Sequence, residues 1–103
     1  MDTKTKALYS AILSLKSMEE TKKFLRDLLT EAEIKEFANR WQTAQMLYQK
    51  VPYYTIAEET GMSSTTIARI SKWLNNGEGG YKLMLKKMKN DTKTNHHTTG
   101  QAV

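Results

Sequence analysis

The chain has 103 residues, no cysteine and a formal net charge of +5 at pH 7, enough for one small domain near the lower limit of what a single core stabilises. Without a thiol there is no disulfide, cysteine nucleophile or thiolate metal site. No apolar run follows the opening charges, so the sequence reads as a cytoplasmic, soluble chain without a leader or membrane span.

A single proline, with glycine confined to Gly61, residues 77–80 and Gly100, predicts an all-α fold, because β-branched residues are scattered rather than alternating. Ala7, Leu8, Ala11, Ile12 and Leu15 mark one face of a first helix, about residues 3–15. A second opens at Ser17, where Ser17 and Glu20 have the spacing of a capping box, with Phe24, Leu25, Leu28 and Leu29 on its apolar face. Thr30 and Glu33 repeat that spacing and open a long helix to about residue 49. Along it Ile34, Phe37, Ala38, Trp41, Ala44, Leu47 and Tyr48 recur at helical spacing. Val51-Pro52 breaks this helix, since proline lacks the N–H and disfavours helix at the residue before it.

Residues 55–74 then read as a helix-turn-helix. Thr55 and Glu58 give a third capping-box spacing at its entrance. Ile56, Thr60, Met62, Ile67 and Ile70 fall where two crossed helices touch. Ala57 is small enough to let the second helix approach, Gly61 suits a left-handed turn residue, and Ser63 caps the second helix. Asn75-Asn76-Gly77 suit a left-handed stop, Gly79-Gly80 form a hinge, and a sixth helix covers residues 81–89. The helical domain is thus expected over residues 1–89, and residues 90–103 are expected to be a disordered polar tail.

Charge is unevenly placed: residues 1–29 carry +2, residues 30–62 carry −2, and residues 63–103 carry +5. The positive end begins at the second helix of the motif, where a phosphate backbone favours it. With Ile67, Ile70 and Leu74 facing the core, the opposite stripe of that helix is free for DNA. Ser63, Ser64, Thr65 and Thr66 crowd its start, where base edges are usually met. Hydroxyls suit phosphates, base edges or bridging water, and Ala68 offers a methyl to a thymine methyl. Arg69 and Lys72 are the expected phosphate partners, Arg69 being also capable of a bidentate guanine contact. Lys50 and Thr55, with Tyr53 and Tyr54, sit where the first helix of the motif crosses the backbone, although the two tyrosines fit a core position equally well.

The run Leu29-Thr30-Glu31-Ala32-Glu33, then Phe37-Ala38-Asn39-Arg40 on a long apolar helix, then the helix-turn-helix, resembles the Trp repressor family, in particular its short YerC/YecD-type bacterial branch. The resemblance covers about residues 12–85. It implies a six-helix fold and an intertwined homodimer whose reading heads meet successive major grooves, a docking geometry carried over from the Trp repressor itself. Such a dimer gives Leu8, Ile12, Leu15, Phe24 and Leu28 a destination, since six helices offer more apolar surface than one small core covers; packing within a monomer is the alternative. The function expected is a sequence-specific transcriptional regulator, a repressor, on double-stranded DNA.

In the Trp repressor the corepressor lies between two arginines, and Arg40 and Arg69 occupy the matching positions. The residue after the second arginine is glycine there and Ile70 here, so a branched side chain fills the slot, with Trp73 close by. Tryptophan binding is therefore not expected, and the identity of any other effector is open. Arg40 then has an ion pair with Glu36 as its expected role. No catalytic constellation, metal ligand set or cofactor motif stands out, and the adjacent His96 and His97 have no partner at ligand spacing, so no enzyme is expected. The competing reading is a helical protein-interaction module contacting another transcription component. RNA binding is disfavoured, because it wants exposed aromatics while Trp41 and Trp73 fall on apolar helical faces.

Overall fold

A computed structural model describes the backbone of residues 2–98 and the side chains of residues 2–89. Its regular elements are all α-helices: α1 (Thr3–Leu13), α2 (Met18–Leu28), α3 (Glu31–Tyr48), α4 (Tyr53–Thr60), α5 (Ser64–Asn76) and α6 (Gly80–Thr98). Among the described residues no helix is long and apolar enough to cross a membrane.

Side chains start most of these helices. The Asp2 carboxylate accepts from the Thr5 N–H at 2.7 Å, a bond to the charged form that holds its carboxyl below the ordinary range. At α3 the capping box is reciprocal: Thr30 Oγ1 accepts from the Glu33 N–H at 3.1 Å, and the Glu33 carboxylate accepts from the Thr30 N–H at 2.9 Å. At α2 the box is shifted. Ser17 Oγ accepts from the Glu20 N–H, but Glu20 reaches back to the N–H of Lys16 rather than of Ser17. α1 stops two residues before the expected end, at Leu13, and Ser14 Oγ donates to the Ser10 carbonyl there.

The expected cap at Thr55 is not made. α4 starts at Tyr53, and its N-cap is Pro52, which makes no side-chain cap bond. Proline's fixed φ of −64° already suits a helix start, and the Pro52 carbonyl accepts from both Thr55 and Ile56. Thr55 is consequently half-buried inside the first turn of α4.

The end of α3 holds a feature that the pattern of residues did not announce. The Val51 N–H bonds the Met46 carbonyl and the Lys50 N–H bonds the Leu47 carbonyl, which together make a Schellman motif. Its left-handed position, normally glycine, is Lys50 at φ +66°. The next stop is conventional: Gly61 ends α4 at φ +74° with its N–H on the Ala57 carbonyl. Gly77 is not left-handed, at φ −87°; glycine is needed there because a Cβ would collide with the Trp73 carbonyl. The left-handed residue of that turn is Gly79, at φ +91°. α6 then runs on through Thr98 rather than ending near Lys89, since residues 90–98 contain neither glycine nor proline. Residues 99–103, the end of the expected tail, lie outside the described residues.

The chain divides into two units at Glu36–Phe37. In the first, neither α1 nor α2 buries a residue, and Leu13 and Met18 are 86% and 76% exposed. In the second, Ala44, Ile56, Met62, Ile67 and Ile70 form a buried cluster, flanked by Trp41, Met46, Leu47, Val51, Ala57 and Tyr81.

The two left-handed residues that flank α4 make opposite predictions. Gly61→Ala adds a Cβ with no atom within 4 Å, so it should cost only conformational strain, about 1 kcal/mol in urea unfolding. Lys50→Gly should relieve such strain and gain up to about 1 kcal/mol in the same measurement.

Candidate nucleic-acid interface

The turn between α4 and α5 is held from inside. Thr60 Oγ1 donates to the Ile56 carbonyl at 2.8 Å and accepts from the Met62 N–H at 3.2 Å, which satisfies a buried hydroxyl and a buried amide together. Thr43 of α3, fully buried, donates its hydroxyl to the Met62 sulfur at 3.3 Å. Ser63 then caps α5, accepting from the Thr66 N–H at 3.1 Å and donating to Thr66 Oγ1 at 3.0 Å.

On α5 itself Ile67 and Ile70 are fully buried and Leu74 is 6% exposed. Away from that seam Ser64, Thr65, Ala68, Arg69 and Lys72 are all exposed. The Ser63 and Thr66 hydroxyls are committed to each other, and Thr66 is half-buried, so the cap accounts for both. Neither Arg69 nor Lys72 is in an ion pair among the described residues, unlike Lys23 with Glu19 and Arg26 with Glu31. The stripe thus presents two hydroxyls, a methyl and two cations to solvent.

Before α4, Lys50 is exposed on its left-handed backbone; at the start of α4, Tyr53 and Tyr54 are 42% and 78% exposed, which removes the core alternative for these tyrosines. Thr55, as a half-buried residue of the first turn, is the least available of the expected contacts.

Arg40 is half-buried, with its guanidinium 5.8 Å from the Phe37 ring centre. It also acts electrostatically on Tyr81, whose hydroxyl is pushed up mainly by burial, while the nearby guanidinium opposes the shift. Ile70 belongs to the core cluster, so the position next to Arg69 is filled by protein. Trp73 departs from expectation: it follows Lys72 on α5 and is 43% exposed instead of lying on a covered apolar face. Helical spacing alone assigned it to the inside; nothing in that spacing tells a ring that is covered from one that borders a recess.

The sequence model of the Trp repressor protein family matches residues 3–89 of the chain. The protein YerC of Bacillus subtilis (strain 168) is 42% identical over 82 residues, which cover 80% of this chain and 79% of YerC. A TrpR-like protein from Eubacterium eligens ATCC 27750, known from its crystal structure, superposes with a TM-score of 0.83 at 36% identity, covering 85% of this chain and 91% of that one. A crystal structure from Staphylococcus aureus gives 0.82, also at 36% identity, over 86% of this chain and 89% of its own.

Proposed function

The chain belongs to the Trp repressor family, and on that premise we propose that it is a sequence-specific regulator of transcription, a repressor, that binds a two-fold symmetric site in double-stranded DNA as a homodimer. The observation that carries this reading is the two-sidedness of α5: a fully buried seam of Ile67 and Ile70 on one side, and exposed Ser64, Thr65, Ala68, Arg69 and Lys72 on the other. A helix docked in this way offers its start to base edges and its cations to phosphates. Lys50 and Tyr54 extend the contact along the backbone, and Ser63 contributes through the orientation of the helix start.

The dimer is supported by the apolar surface of α1 and α2. Leu8, Ile12 and Leu28 are 36%, 45% and 47% exposed and Phe24 is half-buried, within two helices that bury nothing of their own, and Leu15 between the helices is half-buried too. A second copy covers such a surface and sets two reading heads one DNA turn apart.

Tryptophan is not the effector in this reading. A ring placed between Arg40 and Arg69 has to displace Ile70, and overpacking of that kind costs about 1–3 kcal/mol in a cluster where Ile70 is 0% exposed.

Selection of bound duplexes from a random pool should return a two-fold site with half-site centres about 10 bp apart; a pool that yields no preferred sequence would sink the reading and favour a protein-interaction module. On the selected site, Arg69→Ala and Lys72→Ala should each weaken binding and reduce the slope of log affinity against log salt by about one. Calorimetry with tryptophan should show no binding at micromolar concentration, and Ile70→Gly is the variant in which a slot for the indole should open.

A further inference from the structure

Seven cations lie from Ser63 to the end of the chain, and two of them, Arg69 and Lys72, are on the reading helix α5. The other five, Lys82, Lys86, Lys87, Lys89 and Lys93, fall on α6, whose sequence holds one acid, Asp91. Most of the positive charge at this end of the chain is therefore on a helix to which the DNA reading gives no part.

These lysines are not scattered round α6. Lys82, Lys86 and Lys89 are spaced four and three residues apart, which puts them within about 60° of arc at about 100° per residue. Lys93 continues the spacing in the sequence. Lys82, Lys86 and Lys89 are all exposed, and none is in an ion pair among the described residues. Lys87 is exposed too, but it lies about 100° further round than Lys86. From Lys82 to Lys89 the helix rises about 10 Å, the rise of about three phosphates along one strand of a duplex at about 3.4 Å each. The inner side of α6 is occupied: Leu85 is 6% exposed and Tyr81 packs against the core cluster. That packing fixes the rotation of the helix and keeps the row of lysines outward. The row also begins close to the reading head. Three residues separate Asn76 at the end of α5 from Gly80 at the start of α6, a reach of at most about 14 Å.

We propose that Lys82, Lys86 and Lys89 form a second phosphate-binding surface, which grips the backbone of the same duplex without reading its bases. An ammonium group pairs with phosphate oxygens as a point charge, whatever the base beside them. An anionic bilayer fits less well, because a helix lying in a membrane interface inserts its apolar side, and that side of α6 is committed to the core at Tyr81 and Leu85. The proposal rests on the DNA-binding reading and adds to it a share of affinity that is independent of sequence.

Binding of the full chain to the selected duplex and to a scrambled duplex of equal length, across a series of salt concentrations, tests it. Lys82→Gln, Lys86→Gln and Lys89→Gln should each lower the slope of log affinity against log salt by about 0.9 on both duplexes. The ratio of the two affinities should stay as in the native chain. Lys87→Gln, which removes the same charge one residue away, should leave the slope as it is. Native slopes in the three variants overturn the surface. An equal drop for Lys86→Gln and Lys87→Gln overturns it too, because only net charge is then at work. A changed affinity ratio gives these lysines a part in base reading and also counts against the proposal. Binding to phosphatidylglycerol vesicles that the three variants lose, with DNA slopes unchanged, gives the row to a lipid surface and overturns it. A native chain that prefers the selected duplex, while the variants keep its slope, loses this surface alone and keeps the DNA reading. A native chain that binds both duplexes equally, with the slope lowered in the variants, keeps the surface and loses the sequence-specific reading. Binding to neither duplex removes both.

Discussion

Burial of Ile67, Ile70 and Leu74 along one seam of α5 fixes the rotation of that helix about its own axis, and the candidate interface follows from it. A helix turns about 100° per residue, so a side chain cannot move outward without carrying the buried seam out of the core. Burying an isoleucine is worth about 1.5–3 kcal/mol, which makes the outward orientation of Thr65, Arg69 and Lys72 a consequence of packing and not of any contact they make themselves. Ala44 and Ile56 supply the opposing wall, both with no exposed surface. Met62, 9% exposed, closes the turn and accepts the buried Thr43 hydroxyl.

The backbone on either side of α4 meets the same requirement in two ways. Each end of this short helix is flanked by a residue in the left-handed region, Gly61 after it and Lys50 before Pro52. Glycine takes that conformation freely; lysine holds it because the Schellman bonds to the Met46 and Leu47 carbonyls satisfy groups that otherwise go unpaired at the end of α3. A strained residue kept where glycine fits better, exposed and cationic, sits next to the surface to which DNA binding is assigned. Relief of that strain and retention of the charge are therefore opposing demands at one position.

The apolar residues of the chain are divided between two uses. From Phe37 onward they build the cluster that supports α4 and α5 and line a recess with Trp41, Trp73, Tyr81 and Met84. In α1 and α2 they stay on the surface, Leu13 most of all at 86% exposed. Exposed leucines singly need no explanation, but a succession of them along two helices without a buried residue leaves apolar surface that water disfavours. The proposed homodimer gives a reason for that pattern, since a chain in which a second copy covers these helices has no need to bury them itself.

Composition and spacing alone determined the helical class, the position of the helix-turn-helix, the Ser63 cap and the inward set Ile56, Met62, Ile67 and Ile70. These are local properties: helical periodicity, hydroxyls before a helix and glycine after one act within a few residues of sequence. The start of α4 at Tyr53 and the left-handed Lys50 came from competition between nearby backbone groups, in which several residue types qualify and the bonds actually formed choose among them. Trp41 is far in the chain from Trp73 and Tyr81, and the three look alike as apolar positions on three helices. Only tertiary packing decided that they border a recess instead of filling one, because free volume depends on how three helix surfaces meet and no single helix encodes it.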